Sequence, residues 1–538
     1  MFYNKLYTQR GRIINNLNFS LELAFVKKIF LSSLLIFSFF STFSFSQAAK
    51  QAQNSPVAAK TAVQRGIEIP FVNKTLANGL EVIVLPDASV PLVTVEMAVR
   101  NGSFTEPPEL NGLSHLYEHM FFKPNKAYVA YQCEQAVNSG QISAGGRDFC
   151  ANLMRLSPDL KSADYIRGID NLGIMNNAQT REEVVNYYFT TTSPYLSTAL
   201  RFMNDSIRFP RFDEEELEQE KQVVIGEVDR NEANPYFYLN RTLLDKLYYK
   251  YPTRKNPLGT RESVLAATSD KMRTIQSRYY VPNNSALIVT GNVKPEEVFN
   301  LVEQSFGSWK RREVDPFKEF PLVEHPPLQK SEGVIVEKNT GEEASANSQQ
   351  NVFIQIGWHG PSVGKDDEAT YAADVFSYIV AQPNSRFQRN LVDSGLVTSA
   401  DIGYYTQRNV GPIILTLITT PEKAKAAVKA AYEEIAQFDK PDYFTDEELE
   451  SAKTILESRD LFEREKLSEY AHTLAFWWSS TGIEYFRDYY KNLRNVSRLG
   501  TSRYVKTYIQ GKPHIGIALL SPGAKTSAKL TEGDLIGQ

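Results

Sequence analysis

A short signature that occurs twice sets the strongest limit on the fold. Tyr188-Phe-Thr-Thr-Thr-Ser-Pro194 and Leu417-Ile-Thr-Thr-Pro421 each lead from a β-branched, strand-like run into a helical pattern. In the first half, alternating apolar residues predict strands over 80–85, 92–99, 184–190 and 286–290. Helical periodicity predicts helices over 112–122, 162–172, 195–207 and 295–306, and a long acidic helix from an Asp213 cap to about 231. In the second half the order returns as a strand over 352–358, a helix over 368–380, a strand over 413–419 and a helix over 422–438. A unit of roughly 200 residues used twice predicts an α+β chain of two similar domains, each a mainly antiparallel sheet covered by helices.

Composition narrows the class. The 538 residues are 42% hydrophobic and 23% charged, which excludes disordered, collagen-like and polytopic membrane chains. The net charge of −4 argues against nucleic-acid binding, whose footprints are basic. Two cysteines exclude a disulfide-dense scaffold and a Cys₄ zinc site. At the amino terminus, Lys27 and Lys28 precede an apolar run over 29–45, followed by Ser46-Gln47-Ala48. This reads as a signal peptide over 1–48, sending the chain to the periplasm or outside the cell. The alternative is a membrane anchor retained uncleaved, since the run approaches the length of a span. Cleavage would leave 54 basic and 62 acidic side chains, a net of −8, and no stable membrane span. Residues 49–66 read as a flexible tail. Residues 311–350, with Pro316, Pro321, Pro326 and Pro327, read as a linker between domains at 67–310 and 351–538.

One motif carries chemistry. In Gly112-Leu-Ser-His-Leu-Tyr-Glu-His-Met120, His115 and His119 are four residues apart and share a helix face, with Glu118 beside them. Two imidazoles so placed can grip one zinc ion, and a carboxylate at that position can take a proton from zinc-bound water. Catalytic zinc needs a third protein ligand. Glu220 and Glu227 lie on one face of the long helix, in a stretch that Val223, Val224 and Ile225 mark as partly buried. Glu227 is the better ligand. Glu220 reads equally as support for a histidine or as a plain ion-pair partner. His325, His359, His472 and His514 show no ligand spacing and read as structural or surface residues.

These residues resemble the inverzincin metallopeptidases, the family of pitrilysin, insulysin and the mitochondrial processing peptidase. The match is His115-Leu-Tyr-Glu-His119 followed by Glu220-x₆-Glu227. Asn177-Ala-Gln-Thr180, Tyr279-Tyr-Val-Pro-Asn-Asn284, Leu287-Ile-Val-Thr-Gly-Asn292 and Trp358-His-Gly-Pro361 follow in family order, over about residues 67–538. The resemblance implies a processing-peptidase-like metallohydrolase fold with one Zn²⁺ per chain on the first domain. It implies a zinc endopeptidase that cuts peptides or unfolded protein segments, with Glu118 catalytic and His115, His119 and Glu227 as ligands. It also implies that Asn177, Ala178 and Thr180 lie on an edge strand that pairs with substrate. The alternative within the family is a scaffold or peptide-binding subunit without turnover.

Two departures from the family pattern shape further expectations. Glu227 lies 108 residues after His119, farther than is usual in the family, and the excess falls at about 124–161. That stretch reads as an inserted loop, closed by a disulfide between Cys133 and Cys150, the only cysteines of an exported chain. The second domain also lacks the Arg-x₆-Tyr pair that holds substrate in active members. Arg386, Arg389, Tyr404 and Tyr405 are the nearest substitutes. A homodimer, or a heterodimer with another family member, is therefore expected.

Overall fold

The computed structural model describes residues 68–124, 133, 136, 139–140, 169–339 and 351–538. The expected signal peptide and tail, the linker's end, and most of the expected insertion lie outside these residues. Among the described residues, no helix is long and apolar enough to cross a membrane.

Two mixed sheets organise the chain. The first contains β1 (Val72–Thr75), β2 (Glu81–Pro86), β3 (Leu92–Val99), β4 (Met175–Thr180), β5 (Val185–Thr192) and β6 (Ser285–Gly291), in the order β1-β2-β6-β3-β5-β4. The second contains β7 (Glu332–Glu337), β8 (Val352–His359), β9 (Ser399–Tyr404), β10 (Pro412–Thr419) and β11 (Ile515–Leu520), in the order β7-β11-β8-β10-β9. In each sheet one neighbouring pair is parallel, β2 with β6 and β7 with β11, and the rest are antiparallel. The five strands of the second sheet thus repeat five of the first. The twice-used signature lies where β5 and β10 end and their helices begin.

The helices that matter here are α1 (Leu113–Phe121), α2 (Leu196–Arg208), α3 (Glu214–Glu232), α4 (Pro235–Leu247), α5 (Pro295–Phe306), α6 (Asp367–Ala381), α7 (Pro421–Ile435) and α8 (Leu467–Ser480). Helices α1, α2 and α5 cover one face of the first sheet, against Val93, Val95, Met97 and Val99 of β3. Period-two alternation sends the intervening Thr94, Glu96 and Ala98 to the other face. That face is covered by α8, from the other half of the sequence. There His472 meets the fully buried Glu96 at 2.6 Å, and Asn186 Nδ2 donates to its other oxygen at 2.7 Å. In return α4, from the first half, packs on β8 and β11, with Leu243 and Leu247 against Gly357. Each half therefore lends a helix to the other's sheet, which buries a sheet face that the half's own helices leave uncovered.

One expectation needs correction. Residues 311–350 hold a helical turn (Pro316–Glu319) and the strand β7, so the second sheet begins before residue 351. The prolines mark irregular backbone, but Glu332-Gly-Val-Ile-Val-Glu337 beyond them is a strand paired with β11. Gly333 sits where the Glu532 carbonyl would lie 2.0 Å from a Cβ, so glycine permits a close backbone approach there.

Candidate metal centre

Helix α1 is fixed by its own apolar stripe. Leu113, Leu116, Tyr117, Met120 and Phe121 are buried at i, i+3, i+4, i+7 and i+8. This leaves His115, Glu118 and His119 together on the opposite, half-buried face. The helix begins at Gly112, whose φ is +86° and whose Cβ would lie 2.6 Å from Gly259 Cα. Glycine is required on both counts. Glu106 caps the helix from a distance. Its carboxylate accepts from the Gly112 and Ser114 amides at 2.7 and 2.6 Å, satisfying two of the free donors at the helix start. Burial raises the Glu106 pKa, and these hydrogen bonds pull it back.

Helix α3 brings the carboxylates. Asp213 caps it, accepting from the Glu215 and Glu216 amides, as the sequence predicted. Leu217, Lys221, Val224 and Val228 are buried and turn Glu220 and Glu227 toward α1. Val223 departs from the expectation, being 48% exposed.

The Nε2 atoms of His115 and His119 lie 3.4 and 3.9 Å from Glu227 Oε2. Donor atoms of the three residues fall within 4.8 Å of one another, the one such group of three among the described residues. Tetrahedral zinc with bonds of about 2.0–2.2 Å needs donors about 3.3 Å apart, so the group fits zinc with a small contraction. The His119 Nδ1 bonds Glu220 Oε2 at 3.0 Å, and Lys123 Nζ is ion-paired with the other Glu220 oxygen. This orients the His119 Nε2 lone pair toward Glu227. Burial, with His119 adjacent, lowers the His115 pKa to about 3, so its imidazole is a neutral donor. Burial lowers the His119 pKa too, but the Glu220 bond and the charges of Glu227 and Glu118 outweigh it, and the net shift is upward. Glu118 is raised by burial, against the pull of a hydrogen bond from Thr180.

That hydrogen bond links the metal group to the sheet. Thr180 Oγ1 donates to Glu118 Oε2 at 2.6 Å from the end of β4. Strand β4 is the edge of the first sheet, paired with β5 on one side. Asn177 accepts from the Ala178 amide at 2.9 Å, and Ala178 packs against the core. The three residues expected to meet substrate therefore share this edge strand.

The substitutes for the missing Arg/Tyr pair lie elsewhere. Arg386 sits by Glu434 and over the Tyr443 ring, and Arg389 donates to the Asn384 carbonyl. Tyr404 is buried and donates to the Pro361 carbonyl at 2.9 Å. Tyr405 stacks on Phe476 and bonds Arg181, the residue after Thr180, so it alone of the four reaches the end of the edge strand. His325, His359, His472 and His514 lie outside the metal group. Cys133 is disulfide-bonded, while Cys150 lies outside the described residues. Sequence reading missed Lys123 and Glu106. Lys123 continues the i, i+4 series from His115 and His119, a signal that was there to use. Glu106 acts across a loop and left none.

Two family models match this chain. "Insulinase (Peptidase family M16)" matches residues 82–147 and 143–261, and "Peptidase M16 inactive domain" matches 266–456. The chain belongs to the M16 peptidase family. Among its M16 relatives, "Zinc protease PqqE" of Helicobacter pylori is 21% identical over 81% of this chain and 89% of its own length. "Uncharacterized zinc protease YmxG" of Bacillus subtilis is 27% identical over 44% of this chain, and the match spans half of that protein. Among solved structures, a protease from Helicobacter pylori superposes with a TM-score of 0.70 at 20% identity, over 85% of this chain and all of that one. The periplasmic protease PqqL from Escherichia coli superposes with a TM-score of 0.63 at 14% identity, over 88% of this chain and half of that one. Both show the same α+β fold of two similar domains.

Proposed function

We propose that this M16 chain is an exported, zinc-dependent endopeptidase that cuts peptides or unfolded protein segments. The observation that carries the reading is the convergence of His115, His119 and Glu227 beside a carboxylate, Glu118, that is itself hydrogen-bonded to an open edge strand. His115, His119 and Glu227 would hold one zinc ion per chain, with Glu220 and Lys123 fixing His119. A zinc ion held there supplies Lewis-acid polarisation and a water of lowered pKa. Glu118 is the general base. Burial raises its pKa against the pull of the Thr180 hydrogen bond, which makes the carboxylate a stronger base. An extended substrate adds to the edge of β4 that no described strand occupies, by backbone hydrogen bonding, which favours unfolded segments because most strands of a folded chain are already paired. Asn177, Ala178 and Thr180 line that approach.

Export rests on the amino-terminal signal pattern, with the periplasmic fold neighbour as support. Under that reading Cys133 pairs with Cys150. Partnership with a second family member, or with a second copy, rests on the internal contacts that occupy Arg386, Arg389 and Tyr404. The test is cleavage of an unfolded protein by the purified chain alone, before and after chelation. Cleavage lost on chelation and restored by zinc supports the peptidase. Zinc binding without cleavage at any protein concentration supports the subunit reading, and adding the partner then decides it.

A further inference from the structure

The turn that ends the edge strand is gripped by both halves of the chain. Glu183, in the turn between β4 and β5, is 4% exposed. Its two carboxylate oxygens accept from the backbone amides of Arg408 and Asn409 at 2.8 and 2.9 Å. These belong to the loop between β9 and β10 in the second half. That loop is itself held. Buried Lys255 donates to Gln407 Oε1 and to the Asn409 and Val410 carbonyls, the last two at 2.8 and 2.9 Å. Tyr248 donates to the Val410 carbonyl at 2.8 Å, and the Val410 amide donates to Ser362 at 3.0 Å. Val410 has a φ of +53°, a costly conformation for a β-branched residue that persists only where its surroundings over-determine it. From the first half, the Phe104 amide donates to the Glu182 carbonyl at 3.0 Å. Gly102 lies so close that a Cβ would be 2.2 Å from the Arg181 carbonyl.

The proposed chemistry uses none of these groups. A carboxylate buried at 4% exposure is costly unless its bonds are charge-assisted and complete, and such networks hold one arrangement. Thr180 is three residues from Glu183 and donates to Glu118 at 2.6 Å. We infer that Glu183 is a positioning residue: through it the 407–410 loop of the second half fixes the end of the edge strand, and so sets the Thr180 hydroxyl against Glu118. The second half then serves the site through this turn. This rests on the peptidase reading for its catalytic consequence, but not for its structural one.

The test is a double-mutant cycle with hydrogen exchange beside it. Glu183→Gln keeps the size of the side chain but places an amide donor against one of the two loop amides. We expect kcat for an unfolded substrate to fall about ten- to hundredfold, KM to change less, and zinc content to stay the same. Thr180→Val removes the hydroxyl. If Glu183 acts through Thr180, adding Glu183→Gln to Thr180→Val lowers kcat little further. Full multiplication of the two losses overturns the inference. Backbone amides of residues 175–180 should exchange faster in Glu183→Gln than in the wild-type chain. Lys255→Met, which removes a second anchor of the loop, is the second variant and should act in the same direction if Glu183→Gln does not fold. If the wild-type chain cleaves nothing, alone or with a partner, the peptidase reading fails, and exchange still decides this one. Unchanged exchange at 175–180 in both variants overturns it.

Discussion

Helices α1 and α6 hold the same place in the two halves, since each follows the strand at the middle of its sheet, β3 or β8, and precedes the edge strand. Their fates differ. Helix α1 buries one stripe and leaves His115, Glu118 and His119 facing α3 across a gap that a metal ion can fill. Helix α6 is buried nearly all round. Its polar positions are met by side chains of the C-terminal helices, two tyrosine hydroxyls and a guanidinium. Asp374 accepts from Tyr489 at 2.6 Å, Thr370 bonds Tyr485 at 2.7 Å, and Tyr378 accepts from Arg459 at 2.9 Å. The same scaffold position thus carries either an open polar face or a closed one. Imidazoles facing carboxylates leave donor atoms free for an ion, whereas tyrosines satisfy the polar atoms and fill the space.

Ways to break that contrast start with the open helix. His115→Ala or His119→Ala should remove most bound zinc, since two remaining ligands hold it poorly. Elemental analysis checks this, and Asp374→Asn serves as the matched control that leaves zinc unchanged. Glu220→Gln, which weakens the support of His119, should lower zinc affinity by about 10–100-fold, measured by competition with a chelating dye. On the closed helix, Tyr489→Phe removes the donor to a buried carboxylate and should cost about 1–3 kcal/mol of stability in denaturant unfolding, with zinc affinity unaffected.

A further effect is one of pH. Burial pushes the Asp374 carboxyl up to about 7, against the downward pull of the Tyr489 hydroxyl. An unfolded Asp titrates near about 3.9. A raised folded pKa contributes stability that is full below the unfolded value and is lost as pH rises through the folded one. Wild-type stability should therefore fall between about pH 4 and pH 7, and Asp374→Asn should show a flatter profile over the same window. A fall of equal size in the variant would assign it to other groups.

Local signals made much of this architecture legible. Strand β3 and helix α5 lie where alternation and period 3.6 placed them, and Asp213 caps α3 as its position before an acidic run implied. His115, Glu118 and His119 needed only the i, i+3, i+4 geometry of a helix. Longer-range features were harder to read. Strand β4 is polar, with Asn176, Asn177, Gln179 and Thr180, so no hydrophobic alternation announced it, and only the family resemblance pointed there. Strand β7 hid behind four prolines. The exchange of α4 and α8 between halves, and the grip of Glu183 on a loop more than 200 residues away, depend on tertiary contacts that no window of sequence contains.

The central claim is that Glu118 performs chemistry at a zinc held by His115, His119 and Glu227. The most direct measurement is cleavage of an unfolded protein by zinc-loaded Glu118→Gln, set beside zinc-loaded wild-type chain. The account predicts one zinc per chain in both proteins and a rate about 10²–10⁴-fold lower in the variant, because Gln keeps the shape but cannot accept the proton. Cleavage at the wild-type rate by the loaded variant would contradict it.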